Sequence, residues 1–248
     1  MTDTDQAAVE AARSSADAVS HLTAGFMLDL DTYAKAAEAG YQGLAFYFGG
    51  RAGVLGDADT DHVVEALAFF PAATVSIGWE QAGTVEPRRA SADRFAETAA
   101  NWAGAHLPED GPDYARLADL AGKVIDEADA TGAPIFAGWR DLPEPEGARQ
   151  RAHHRLNGLR ELRFARHIAA LRDAGVDPAV AFMVRSPMMA DIFGVPEPRP
   201  VPTDADRASW DVVEADTNER FGRDLAVLDG DELAAFVQLA NSVHAAVV

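Results

Sequence analysis

Histidine and arginine gather in one stretch of this chain. Residues 148–172 contain Arg149, Arg151, Arg155, Arg160, Arg163, Arg166 and Arg172 against the single acid Glu161, together with His153, His154 and His167. The stretch carries +6 in a chain whose net charge is −19, which leaves −25 on the rest. At 100° per residue, His153, Arg160 and His167 share one helical face with Arg163 close to it, whereas His154 and Glu161, seven apart, share another. A cationic face with titratable imidazoles suits a small anionic molecule, a carboxylate or a phosphate. His154 and Glu161 have the residue types of an acid/base pair. They lack the four-residue histidine spacing of a helical zinc motif, so no metal site is expected. The competing reading is structural: a basic helix in an acidic protein forms ion pairs with its neighbours.

A second group lies in Gly40–Asp57, GYQGLAFYFGGRAGVLGD. Its glycines suggest a phosphate loop, but Gly-Lys-Ser/Thr is missing and no strand precedes it. Gly49, Gly53 and Gly56 at i, i+4 and i+7 form a small-residue groove for a close helix. Arg51 interrupts the apolar run and invites an acidic partner or a ligand, with Tyr47 one turn before it. Asp57, Asp59, Asp61, His62 and Glu65 cluster at a helix start, where capping and the helix dipole account for them without a metal. No nucleophile elbow is present.

The elements that would position these groups are helical. In 40–56, Tyr41, Leu44, Ala45, Phe48, Ala52 and Leu55 make one stripe. Thr60 caps the next helix, which carries Val63, Val64, Leu67 and Phe70. Pro71 opens another, with Val75 and Trp79 four apart. Ser91 caps 92–105, and Pro112 opens 112–130 with Leu117, Leu120, Val124 and Ile125 inward. The longest helix covers 148–173, roughly 39 Å at about 1.5 Å per residue. Asp177-Pro178 starts a short helix through Val184, Thr203 starts one that buries Trp210, Val213 and Phe221, and the last begins near Asp231. Trp79, Trp102 and Trp210 read as core, and Trp139 as a loop neighbour of Arg140. Few segments alternate with period two, so the predicted class is all-α, a multi-helix bundle-like body. Four prolines in 194–203 divide it into a main body (1–193), a proline-rich connector and a C-terminal helical pair (204–248) packed back on the body.

Composition narrows the function. The chain of 248 residues has 21 Lys+Arg, of which only Lys35 and Lys123 are lysine, against 40 Asp+Glu. Such acidity disfavours nucleic acid and anionic membranes. The absence of cysteine excludes disulfides, thiol nucleophiles and Cys-ligated zinc or iron–sulfur clusters. No signal peptide and no apolar run of about 18–20 residues is seen, so a cytoplasmic location is expected.

Gly43–Gly56, the following Val63–Pro71 and Leu159–Leu171, preceded by His154, resemble the SalK-like helix-turn-helix family of actinobacteria. The resemblance implies a helical body with a degenerate helix-turn-helix-related C-terminal part and a regulator-like role. The family pattern falls on Arg51, Pro71, His154, Arg160, Glu161, Arg163 and His167. Where the family has a reading helix and a wing, this chain has the proline-rich stretch and a helix bearing Asp204, Asp206, Asp211, Glu214, Asp216 and Glu219. Those carboxylates would meet DNA phosphates, so DNA binding is not expected. The expectation is a protein that binds a small anionic ligand, with Arg51, Tyr47, Arg160, Arg163 and His167 as binding residues, no cofactor and a homo-oligomer allowed. The alternatives are a cofactor-independent enzyme of secondary metabolism using His154 and Glu161, and a degenerate transcriptional regulator.

Overall fold

The computed structural model describes residues 3–247, and no strand occurs among them. In chain order the helices are α1 (Asp3–Ser14), a π-helical turn (Ala18–Leu22), α2 (Ala24–Leu28), α3 (Leu30–Glu38), α4 (Ala45–Ala52) with a 3₁₀ extension (Gly53–Leu55), α5 (Thr60–Ala66), α6 (Ala72–Val85), α7 (Arg88–His106), α8 (Tyr114–Glu127), α9 (Pro134–Arg140), α10 (Ala148–Ala174), α11 (Pro178–Arg185), a 3₁₀ turn (Pro187–Met189), α12 (Asp204–Leu225) and α13 (Gly230–Ala245). The all-α class is as the periodicity predicts.

Local chemistry explains most boundaries. Asp177 caps α11 by accepting from the Ala179 and Val180 amides, and Pro178 occupies the first turn. Thr203 and Asp206 form a reciprocal capping box on α12, and Asp229 with Glu232 does the same on α13. Asp59 rather than Thr60 caps α5, accepting from the His62 amide. Ser91 is no cap, because α7 begins three residues earlier at Arg88 and buries Ser91 beneath the Tyr41 hydroxyl, 2.7 Å away. Pro112 lies before the α8 cap, which is Asp113.

The stripe predicted over 40–56 is only partly helical. Gly40 and Gly43 take positive φ, 103° and 52°, so regular helix starts at Ala45. Gly56 ends the segment at φ 62° with open space beside it and is no part of a groove. Close approach matters at Gly49, where a Cβ would collide with Ala82 of α6, and at Gly53, where it would collide with the Arg88 carbonyl of α7.

The interior is built as two large clusters joined by α10. One gathers α1, α8, α12 and α13 through Ala8, Leu117, Leu156, Phe221 and Phe236. The other gathers α2, α4, α6, α7, α9 and α11 through Phe26, Phe46, Phe48, Trp79, Phe95 and Phe182. α12 and α13 share the first cluster with the N-terminal helix, and Leu225, Leu228 and Leu233 are almost fully buried there. Trp139, next to the loop that follows α9, is core all the same: it is 2% exposed and its indole N–H donates to the His154 carbonyl at 3.1 Å. The stretch 195–203 runs without helix and is anchored by buried Val195.

Candidate functional site

α10 crosses the molecule and meets both clusters, so its basic face is largely internal. Its cations mostly find acceptors on other elements. Arg149 reaches the Leu107 carbonyl and Glu109, Arg155 grips Glu144 with bonds of 2.7 and 2.8 Å, and Arg166 grips Asp224 at 2.9 and 2.8 Å. Much of the charge reversal is therefore structural, ion pairing between a basic helix and an acidic surround.

Arg51 is part of that structural set and does not face a ligand. Its side chain is fully buried, with Nε and Nη2 3.0 and 2.8 Å from the two Glu161 oxygens and Nη1 2.7 Å from the Tyr47 hydroxyl. Burial works against the charge of Arg51, but Glu161 and Tyr47 outweigh it and hold the guanidinium above its ordinary pKa. Burial likewise works against the Glu161 carboxylate, and Arg51 and Arg160 overcome it and keep the carboxyl below its usual range. Arg160 donates to the same Glu161 oxygen at 2.8 Å. One carboxylate thus serves two guanidiniums, and the unbalanced positive charge emerges on Arg160.

His154 and Glu161 are not brought together. His154 packs over Trp139, ring centroids 5.3 Å apart, and burial drives its pKa down to about 4 against the pull of Glu144. Glu161, two turns further along α10, is held ionised between its two arginines. Neither the geometry nor the protonation states make an acid/base pair of them.

Arg160, Arg163, His167 and Tyr47 do converge, on the wall of a cavity of about 660 Å³. This volume is in the range of small-molecule sites, about 300–1,000 Å³. Its walls come from the π-helical turn, α2, α4, α10, α11 and α12, with Phe69, Phe70, Phe164, Phe182, Phe193 and Trp210 as the aromatic lining. Met27 and Met189 add adaptable apolar surface. The π-helical turn sets Ser20 and His21 at the edge, a geometry frequent at functional sites.

The charged groups on this wall are Asp17, Arg160, Arg163, Arg185 and Glu214, which leaves one positive charge. Arg163 is matched through Nη2 by Glu214 at 2.9 Å and Asn218 at 3.2 Å, while its buried Nε has no hydrogen-bond partner among the described residues. Arg185 donates to Nε2 of His21, whose Nδ1 lies 3.4 Å from Asp17. His167 is held between Phe69 and Trp210, at 5.8 and 5.1 Å between centroids, with Nδ1 3.1 Å from the Thr217 hydroxyl. Burial lowers its pKa to about 4, more strongly than Glu214 raises it, so the ring is neutral at pH 7. Phe164 also borders a second cavity of about 160 Å³, next to Glu161, His62 and Arg172.

The aromatic lining, Glu214, His21 and Arg185 are absent from the set that sequence spacing selects. Phe69-Phe70 beside Pro71 is the available signal, a double aromatic in the turn between α5 and α6. No group of three or more potential metal ligands occurs among the described residues.

Helices joined by short turns around a ligand-sized cavity define the class, and the pair α10 and α11, linked through Gly175–Asp177, turns Phe182 into that cavity. The Helix-turn-helix family matches residues 12–200, and the chain belongs to that family. The matched region ends before α12, so the acidic helix lies beyond it. No curated protein and no solved structure matches the chain. Among the described residues no helix is long and apolar enough to cross a membrane.

Proposed function

We propose that this protein binds a small, mostly apolar molecule carrying one anionic group, in the cavity between α2, α4, α10, α11 and α12. The observation that carries this reading is an aromatic cavity with a single surplus positive charge, inside a chain of net charge −19. Arg160 is the residue that would hold the anion, because it shares its carboxylate partner with Arg51. Compared with the site expected from spacing, Arg51 and Arg163 move to supporting roles: Arg51 fixes Glu161, and Arg163 fixes Glu214. The aromatic walls supply the rest of the affinity by burying ligand surface. Such a site fits a regulator-like protein of the SalK-like kind that responds to a metabolite without contacting DNA. Carboxylates along α12 and the net charge oppose a duplex.

Native mass spectrometry of the protein purified from its own host tests the reading. A co-purifying species that leaves on denaturation, and is lost in Arg160→Gln, is the expected result. The bare polypeptide mass in both preparations would count against it. A gel shift at moderate salt should show no retardation.

A further inference from the structure

The wall of the cavity around His167 has a defined hydrogen-bonding polarity. The Thr217 hydroxyl lies 2.7 Å from the Val213 carbonyl, which can only accept, so the Thr217 proton is spent there. Thr217 Oγ1 is then an acceptor towards Nδ1 of His167, 3.1 Å away. Glu214 Oε1, 3.4 Å from the same nitrogen, is an acceptor as well. Nδ1 therefore carries the hydrogen, and Nε2 of the neutral ring carries a lone pair. Among the described residues no group hydrogen-bonds Nε2. It is not sealed from solvent either, in contrast to both ring nitrogens of His153.

Resting on the cavity reading above, we infer that the ligand carries a hydrogen-bond donor, a hydroxyl or N–H, that meets Nε2 of His167 at the end opposite its anionic group. Arg160 and His167 are seven residues apart, so they lie on nearly one face of α10 with Cα atoms separated by about 10.5 Å along the axis. The ligand class is thus an elongated aromatic monoanion with its charge at one end and a hydroxyl or amino group at the other. A second negative charge is disfavoured, since only one positive charge is unbalanced and Glu214 stands beside His167. The flanking Phe69 and Trp210 rings hold the imidazole in place, so its acceptor is preorganised.

Matched pairs of probes test this by calorimetric titration: 4-hydroxycinnamate against cinnamate, and 6-hydroxy-2-naphthoate against 2-naphthoate. The hydroxylated member of at least one pair should bind roughly five- to tenfold tighter, the worth of one net hydrogen bond. His167→Phe should abolish that preference, and Arg160→Gln should weaken both members of the pair in parallel. The wild-type ratio alone decides the matter if His167→Phe does not fold. Equal affinity within both pairs would overturn the donor inference and leave the cavity reading standing. No binding by any of the four would overturn the anion-binding reading and the inference with it.

Discussion

The two halves of α10 use the same residue types for opposite ends. In the N-terminal half, His153 is wholly buried between Phe26 and Trp102, and among the described residues neither ring nitrogen has a hydrogen-bond partner. One turn later Asn157 leaves both of its amide atoms unpaired. In the C-terminal half His167 is nearly as buried, yet one nitrogen is fixed by Thr217 and the ring walls a cavity. Burial depth therefore does not separate a packed polar group from a working one. Their difference is whether the neighbours orient the side chain and leave it an accessible atom. His153 and Asn157 cost stability without such an arrangement, whereas Arg160 and His167 have it.

Acidification should reveal what the two halves share. Burial lowers His153 to about 3 and His154 and His167 to about 4. In the unfolded chain these groups titrate near 6.5, so below that pH the unfolded state binds protons that the folded state does not. Stability is fully present above about pH 6.5 and falls as pH drops towards 4, at about 1.4 kcal/mol per pH unit for each histidine. Urea unfolding at stepped pH should show a loss of several kcal/mol. A flat profile between pH 6.5 and 4 would mean that the imidazoles are solvated.

Glu161→Leu separates scaffold from site. It strands the buried Arg51 charge and should cost about 3–5 kcal/mol in urea unfolding. Arg160→Gln should leave folding nearly intact and weaken an aromatic carboxylate by about 1.5–3 kcal/mol, the worth of a hydrogen bond to a charged group, read by calorimetry. The smallest effect should come from His153→Leu, which removes two unpaired buried polar atoms and should raise stability by about 1 kcal/mol. The same change should flatten the acid profile while leaving ligand affinity alone. His167→Phe should flatten it as well, but alter ligand preference.

Sequence patterning reads the scaffold better than the site. The longest helix, expected over 148–173, spans Ala148–Ala174, and the Asp177-Pro178 start is as expected, because caps and stop glycines act locally. The 40–56 stripe fails where Gly40 and Gly43 adopt backbone angles that periodicity does not register. Ser91 resembles a cap by type, but tertiary contact with Tyr41 decides its use. Arg160, Arg163 and His167 line one wall, as their spacing along α10 places them, whereas His153 of the same predicted face packs elsewhere, between Phe26 and Trp102. Their partners are not legible: Glu161 meets Arg51 across 110 residues and Glu214 meets Arg163 across 51. Those pairings turn Arg51 and Arg163 from candidate ligand anchors into internal ion pairs. The N-terminal helices, whose Asp17, His21 and Met27 help to close the cavity, carry a buried stripe of Val19, Leu22 and Phe26 at i, i+3 and i+7, which fixes their packing but not the cavity they border.

The most direct measurement is a diffraction structure of crystals grown with 6-hydroxy-2-naphthoate. The expected result is the naphthalene between Phe69, Phe164 and Trp210, its carboxylate within hydrogen-bonding distance of Arg160 and its hydroxyl on Nε2 of His167. A cavity filled by the protein's own side chains, with the compound bound elsewhere or absent, would contradict the assignment of this cavity as the ligand site.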